Sequence, residues 1–504
     1  MKGKKLTSSI FPSAAGNIYY YNRSEKTFFA VHPLFYYFDQ FQKYLAPLND
    51  IEIVEIRKRL MTENISFSKK DIKKIHTQYL FIKNMQAESK DTINNYSYTE
   101  LTDTSFVRKN FDATQQIIFE VTDKCNLNCT YCSYGSLYTN YDERFKKDID
   151  FETIKVVLDY FTPKWKKRAK GSYKEKINIS FYGGEPLLRL DLIKKTISYL
   201  EKLDLPCDFF TYSLTTNGLL LKRSIDFLIS RDFSLLVSLD GNKQNHSYRI
   251  DHNGRNSFDK VIDSVRYIKN NHPDYFKNKV NFNTVLHARN NFTDIKNFFD
   301  KEGLPHPSVS ELSIANAIDE EQIQKFSYKS QNLNEIQSIN EYIELNNITA
   351  ASLSFFRKYC VPHYQNHLDL YNFYKKQTIT PTGTCLPFSL RVFVSANRKL
   401  LSCEKIGNQF QFGFIDEKNE IILDSEKAIT VLNNYTSSYL KNCKTCYRQA
   451  DCNICAYRYG MLEKGTTCTE HMTEQKFLQE VQLNVSIIEK KPELYNKILK
   501  VLTS

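Results

Sequence analysis

No run in this chain approaches 18 apolar residues, so no membrane-spanning helix is expected. The basic start MKGKKLTSSIFPSAAG has no apolar core behind it, which argues against a secretory signal. Tryptophan occurs once in 504 residues, against 33 tyrosines and 35 phenylalanines, so the core is expected to be rich in the other two aromatics. No block of like charge is present. The net charge of +12 is spread along the chain, which reads as a solvated surface and argues against a nucleic-acid partner. With 41% hydrophobic and 25% charged residues, the composition is that of a folded globular protein of several domains.

What is present in quantity is cysteine, twelve in all. Without a secretion signal they imply a reducing, cytoplasmic setting, where cysteine clusters bind metal more readily than they form disulfides. Ten of the twelve fall in two groups, and Cys207 and Cys360 stand alone. The first group is Cys125, Cys129 and Cys132, in the run VTDKCNLNCTYCSYG. Three thiolates at this spacing can hold three irons of a [4Fe–4S] cube and leave the fourth iron open to a small chelating molecule. A structural zinc site wants four ligands, and no fourth Cys or His lies near.

Strand and helix patterns alternate around this group. Strands are expected at 116–121, 177–181, 209–215, 235–239, 280–285 and 311–314. Helices are expected near 151–161, 188–202, 221–230, 256–271 and 292–302. The triplet follows the first strand, at the end of a parallel sheet where βα loops build active sites. After the second strand stands Gly183-Gly184-Glu185-Pro186, after the third Thr215-Thr216-Asn217-Gly218, and after the fourth Ser238-Leu239-Asp240-Gly241.

The Cys-x3-Cys-x2-Cys spacing with the GGEP run resembles the radical S-adenosylmethionine (radical SAM) superfamily. The resemblance implies an α/β fold with a partial (β/α)6 barrel over 112–315. It implies a [4Fe–4S] cluster on the three cysteines, with SAM on the open iron. Tyr131 would pack near the adenine, and Gly183, Gly184 and Glu185 would line the methionine amino group. Ser238 and Asp240 would meet the ribose hydroxyls. The run SLDGNKQNHSYRIDHNGRNSF resembles that of anaerobic sulfatase maturases and their peptide-modifying relatives; Arg249 and Arg255 receive no role from it.

The second group is Cys385, Cys403, Cys443, Cys446, Cys452, Cys455 and Cys468. It resembles the SPASM domain, expected over 376–472, which holds auxiliary [4Fe–4S] clusters. The resemblance assigns Cys443, Cys446, Cys452 and Cys468 to an outer cluster. Cys385, Cys403 and Cys455 go to an inner one, with an iron left open or filled by Cys360 or a non-cysteine ligand. Three clusters per chain are implied. This sequence departs from the family in two places: two residues, not three, separate the last paired cysteines, and no glycine precedes Cys403 in SANRKLLSC. Glu404 stands where sulfatase maturases carry a basic aspartate.

Residues 17–31 read as a hairpin and are followed by helices at 32–45, with Pro33 in the first turn, about 51–62 and about 68–87. This order resembles a winged-helix-like, PqqD-like peptide-recognition element over 1–90, which takes a leader peptide as an added strand. Residues 88–112 read as a polar linker, 316–375 as a helical linker carrying Cys360 and His363 in an aromatic setting, and 473–504 as a helical tail. The implied activity is radical SAM cross-linking of a ribosomally made precursor peptide, with an external electron donor such as flavodoxin or ferredoxin. Sulfatase maturation and a non-catalytic iron–sulfur protein are the alternatives.

Overall fold

The structure, a computed structural model, describes residues 8–88, 101–312, 321, 325–326, 383–459, 468, 471–490 and 492. Excepted within those ranges are positions 14, 23–26, 41–45, 63–66, 133, 136–137, 139–145, 171–175, 448–451 and 453. The stretch holding Cys360 and His363 lies outside the described residues.

The N-terminal unit is a three-stranded antiparallel sheet, β1 (Ser8–Pro12), β2 (Ile18–Asn22) and β3 (Thr27–Val31), in the order β1-β2-β3. The sequence reading had the hairpin β2–β3 and missed β1, whose five residues include two serines and a proline. Helices α1 (Leu34–Gln40), α2 (Asp50–Thr62) and α3 (Lys69–Glu88) follow. A reciprocal capping box starts α2: Glu52 N donates to Asn49 Oδ1, and Asn49 N donates to Glu52 Oε2. The strands obey a period of two. Ile10, Ile18 and Tyr20 face the helices and pack with Phe35, Phe38, Ile56 and Tyr79. Phe11 and Tyr21 face the other way.

That second face is covered by the far end of the chain. Helix α12 (Glu474–Lys490, the twelfth of those named here) presents Phe477, Val481 and Val485 to Phe11 and Tyr21, and Tyr447 joins the same cluster. Glu489 Oε1 accepts from Ser13 Oγ (2.8 Å), Asn17 Nδ2 (2.8 Å) and Tyr19 Oη (2.9 Å).

The central unit has six parallel strands: β4 (Gln116–Thr122), β5 (Ile177–Gly183), β6 (Phe210–Thr216), β7 (Ser234–Ser238), β8 (Val280–Leu286) and β9 (Ser308–Glu311). They lie side by side in chain order. Four match the sequence expectation within a residue, β5 runs two residues further, and β9 begins three residues early. The connecting helices are α5 (Phe151–Ala169), α6 (Leu190–Leu200), α7 (Leu221–Ser230), α8 (Phe258–Asn271), α9 (Pro273–Lys279) and α10 (Phe292–Glu302). Helix α5 runs on through Pro163 because Trp165, fully buried, packs between Phe161 and Phe210. The stretch read as a linker contains α4 (Ser105–Ala113), held down by Val107 and Phe111 at i, i+4.

The described strands form an open sheet. On the far side of β4 the C-terminal segment adds β10 (Val392–Val394), parallel to β4, and then an antiparallel meander β11 (Lys399–Leu401), β12 (Gln411–Ile415) and β13 (Ile421–Leu423). Helix α11 (Ser425–Cys443) packs on it. One apolar core runs through both segments, from Phe181 and Phe282 across Phe119 and Val394 to Phe412. Fully burying each such phenylalanine is worth roughly 1.5–3 kcal/mol. The first cysteine group and Cys403 therefore follow strands of one continuous sheet.

Candidate active site

The cysteine loop leaves the C-terminal end of β4 and is held by backbone from two other strand ends. Gly184 N donates to Thr122 O and Glu185 N to Lys124 O, both at 2.8 Å. These contacts explain the two glycines. A Cβ at Gly183 would stand 2.1 Å from Thr122 O, where φ is also +143°, and one at Gly184 would stand 2.1 Å from Lys124 O. From the loop after β7, Ile250 O accepts Asn128 N (2.7 Å) and Tyr248 O accepts Thr130 N (3.1 Å). His252 bonds the Cys125 carbonyl at 2.9 Å.

Within the loop, Leu127 N donates to Cys125 Sγ at 3.4 Å, and Asn217 Nδ2 lies 3.7 Å from the same sulfur. Burial pushes the Cys129 thiol up to about 12; the Arg249 charge opposes this, and Cys132 and Cys125 add to it. The three thiols thus share one local field. Backbone N–H groups aimed at sulfur and a neighbouring guanidinium suit thiolates held by iron. Among the described residues no three His, Cys, Asp or Glu side chains are grouped tightly enough to hold a single metal ion. Sulfurs on a cube spread wider, because each binds its own iron.

Glu185 is fully buried and ties the end of β5 to the turn after β6. Its Oε1 accepts from Thr216 Oγ1 (2.8 Å) and Leu187 N (3.1 Å), and its Oε2 from Asn217 N (2.8 Å). Burial raises its carboxyl to about 7 against those donors. A carboxylate offers about four acceptor positions, and three protein donors fill two on Oε1 and one on Oε2. Thr216 and Asn217, given no role from sequence, are thus part of the site's frame.

Asp240 departs from the expectation that placed it with Ser238 on a vicinal diol. Its carboxylate is fully buried and turned to protein donors. Arg249 Nε reaches Oδ2 at 2.9 Å and Nη2 reaches Oδ1 at 3.1 Å; Val285 N donates at 3.0 Å, and Tyr131 Oη donates to Oδ2. Burial, the largest single cause, would raise the Asp240 pKa, but the Arg249 charge, hydrogen bonds from His287 and Arg249, and His246 together hold the carboxyl well below the usual range. Ser238 stays at the strand end, half-buried. Tyr131 is buried, its ring 5.5 Å from His287 and under the Arg249 guanidinium at 5.4 Å. Arg249 and His287 are the residues sequence reasoning missed. The signal was an arginine nine positions after the aspartate in the same loop.

In the C-terminal segment, burial pushes the Cys443 thiol up to about 12, with Cys452, Cys446 and Cys468 as the charges that add to it. Those four are the set that the SPASM resemblance assigns to one cluster. Met472 N donates to Cys446 Sγ and Lys405 N to Cys403 Sγ, each at 3.4 Å. Cys385 and Cys455 both act on the buried Tyr457 hydroxyl. Cys403 faces Glu404, which pairs with Arg391 at 3.4 Å. Glu120 joins the two cysteine regions: Oε1 accepts Tyr134 Oη of the first, and Oε2 accepts Ala396 N of the second at 2.9 Å.

Residues 119–301 match the model of the Radical SAM superfamily. An uncharacterised protein of Methanocaldococcus jannaschii is 34% identical over 147 residues, 29% of this chain and 46% of that protein. The radical SAM cyclopropyl synthase TigE of Paramaledivibacter caminithermalis is 30% identical over 234 residues, 45% of this chain and 44% of that one. A cysteine-type anaerobic sulfatase-maturating enzyme of Clostridium novyi is 27% identical over 190 residues, 37% of this chain and 48% of that one. The chain thus spans less than half the length of each of these relatives. The solved structure of native anSMEcpe with bound AdoMet aligns over 76% of this chain and 98% of that chain, at 18% identity and a TM-score of 0.44. The segment that matches the radical SAM model carries Cys125, Cys129, Cys132 and Gly183–Pro186 at the ends of its strands.

Proposed function

We propose that this protein is a radical SAM peptide maturase that cross-links a ribosomally made precursor peptide through a thioether, carbon–carbon or ether bond. The net change at the peptide is the loss of two hydrogens as one bond forms: one would leave as an atom to the 5′-deoxyadenosyl radical, the other as a proton, with its electron passing to an auxiliary cluster. A cluster on Cys125, Cys129 and Cys132 with SAM would supply a 5′-deoxyadenosyl radical to take a hydrogen atom from an unactivated carbon. Glu185 keeps an acceptor position for the ammonium of SAM. Gly183 and Gly184 let the cysteine loop close over that position. Tyr131 and Ser238 are the proposed adenine and ribose contacts, and Asp240 acts through Arg249. Cys443, Cys446, Cys452 and Cys468 would hold one auxiliary cluster, and Cys385, Cys403 and Cys455 three corners of another. An external one-electron donor of the flavodoxin or ferredoxin kind completes the reading.

The observation that carries the peptide is the docking of the N-terminal sheet. One face is covered by its own helices and the other by α12, so a leader has only an edge to join, and β3 is the edge away from β1. The docked face runs through Tyr21, Phe477 and Tyr447 to Cys446. Among the described residues no helix is long and apolar enough to cross a membrane.

The test uses anaerobically reconstituted protein with dithionite, SAM and the peptide encoded beside the gene. Release of 5′-deoxyadenosine and a peptide lighter by two hydrogens support the reading. Slower hydrogen exchange at Thr27–Val31 with peptide supports leader addition at β3. SAM cleavage that survives Cys125→Ala, Cys129→Ala and Cys132→Ala together would overturn it. Sulfatase maturation is the second reading, carried by the Clostridium novyi relative; conversion of a sulfatase-derived cysteine peptide to formylglycine would replace the first.

A further inference from the structure

Inside the loop after β7 lies a closed ring of hydrogen bonds that no contact with the cysteines requires. Asp240 N donates to His246 Nδ1 at 3.3 Å. His246 Nε2 lies 3.1 Å from Ser257 Oγ. The Ser257 hydroxyl donates to Arg249 O at 2.7 Å, and Ser257 N reaches the same oxygen at 3.0 Å. Arg249 then returns to Asp240 through both guanidinium contacts. The ring begins and ends on the Asp240–Arg249 ion pair buried at the strand end.

The donors fix the histidine's protonation without choice. A backbone amide can only donate, so Nδ1 must accept. The Ser257 proton is spent on Arg249 O, so Oγ must accept, and Nε2 must carry the hydrogen. His246 is fully buried, and burial brings its pKa down to about 3, so the ring is neutral. Its own backbone carbonyl takes Arg249 N at 2.9 Å, which closes the turn from the inside.

We infer that His246, as its Nε2–H tautomer, is a positioning residue: through Ser257 it sets the backbone on which Arg249 is carried beside Cys129 and Tyr131. The same backbone supplies Tyr248 O and Ile250 O to the cysteine loop, so the ring also fixes that loop's height over the sheet. His246 touches neither sulfur nor ligand, and its effect passes through Arg249. The functional consequence rests on the radical SAM reading above. The tautomer and the loop's order do not.

Three measurements test it. Selective 15N-histidine spectra of protein without added iron or SAM should show an Nε2-protonated signal that disappears in His246→Asn; an Nδ1–H signal that disappears in its place would overturn the assignment. Hydrogen exchange at Asn128 and Thr130 should quicken in Ser257→Ala and return in Ser257→Thr; unchanged exchange in Ser257→Ala would sink the positioning role. In reconstituted protein, Ser257→Ala and His246→Asn should raise the KM for SAM about tenfold with kcat kept within about threefold, as lost supporting hydrogen bonds do. A loss of active fraction at unchanged KM would mean a merely structural part. If the unaltered protein binds no SAM, the radical SAM reading falls, and the tautomer and exchange results still decide the role of His246.

Discussion

Gly184 lies so close to Lys124 that any β-carbon there would stand 2.1 Å from the Lys124 carbonyl oxygen. The contact joins the second strand's end to the loop that carries the first cysteine. Alanine at this position must push that loop away. Gly184→Ala should lose about 1–3 kcal/mol of stability through overpacking. It should also lose most SAM cleavage while the C-terminal iron stays bound. Urea unfolding and a 5′-deoxyadenosine assay check both, and wild-type cleavage rates in the variant would contradict the splint.

Glu185 links stability to pH. Its carboxyl rises from 4.5 to about 7 in the folded protein, because burial outweighs three hydrogen-bond donors. Between those values the folded state holds a proton that the unfolded chain has released. The stabilisation is therefore full below about pH 4.5 and fades as pH climbs to about 7. Its ceiling is about 3 kcal/mol, from the size of the shift. Glu185→Gln should lack this slope. Urea midpoints of protein without added iron or SAM, compared across that window, should converge or cross as pH rises. Parallel curves for the two proteins would refute the assignment.

Cys443 shares its field with Cys446, Cys452 and Cys468. If these four hold one cube, Cys452→Ala should lower iron from about 12 to about 8 atoms per chain, at four per cluster. SAM cleavage without peptide should persist, since the Cys125 loop is untouched. Iron analysis and the same nucleoside assay decide it. A full complement of iron would remove Cys452 from the set.

Glu489 collects three donors from the first hairpin. With burial, it also drives the Tyr19 hydroxyl up to about 12. Glu489→Ala should weaken the docking of the N-terminal sheet by about 1–3 kcal/mol, given partners left without an acceptor. Hydrogen exchange in Ile18–Asn22 should quicken while the β4–β8 core is unchanged. Equal protection in both proteins would show that Phe477 and Val481 hold the sheet unaided.

Local pattern carried most of the central unit. Alternating strand and helix periods placed β4 to β8, and the cysteine and GGEP runs fell at strand ends as a parallel sheet requires. What failed was non-local. Nothing near Val392–Val394 says that it will lie beside β4, some 275 residues earlier, because pairing partners leave no mark on local periodicity. Asp240 was given to a ligand because a carboxylate's type does not reveal its partner, and Arg249 had already taken it. Helix α4 hid in a polar stretch with only Val107 and Phe111 to mark it. The grouping of Cys443 with Cys446, Cys452 and Cys468 came from the SPASM resemblance; spacing alone groups Cys443, Cys446, Cys452 and Cys455, because fifteen residues separate Cys452 from Cys468.

The docking of the first hairpin on the last helix sets a timetable for the growing chain. Tyr19 and its partner Glu489 are 470 residues apart. At synthesis rates of roughly 5–20 residues per second, the ribosome needs about 25–95 s to deliver α12 after the hairpin has emerged. For that interval Phe11 and Tyr21 have no permanent cover. The nascent sheet is then most exposed to chaperones, to other copies on the same messenger, and to any peptide able to pair with its edge.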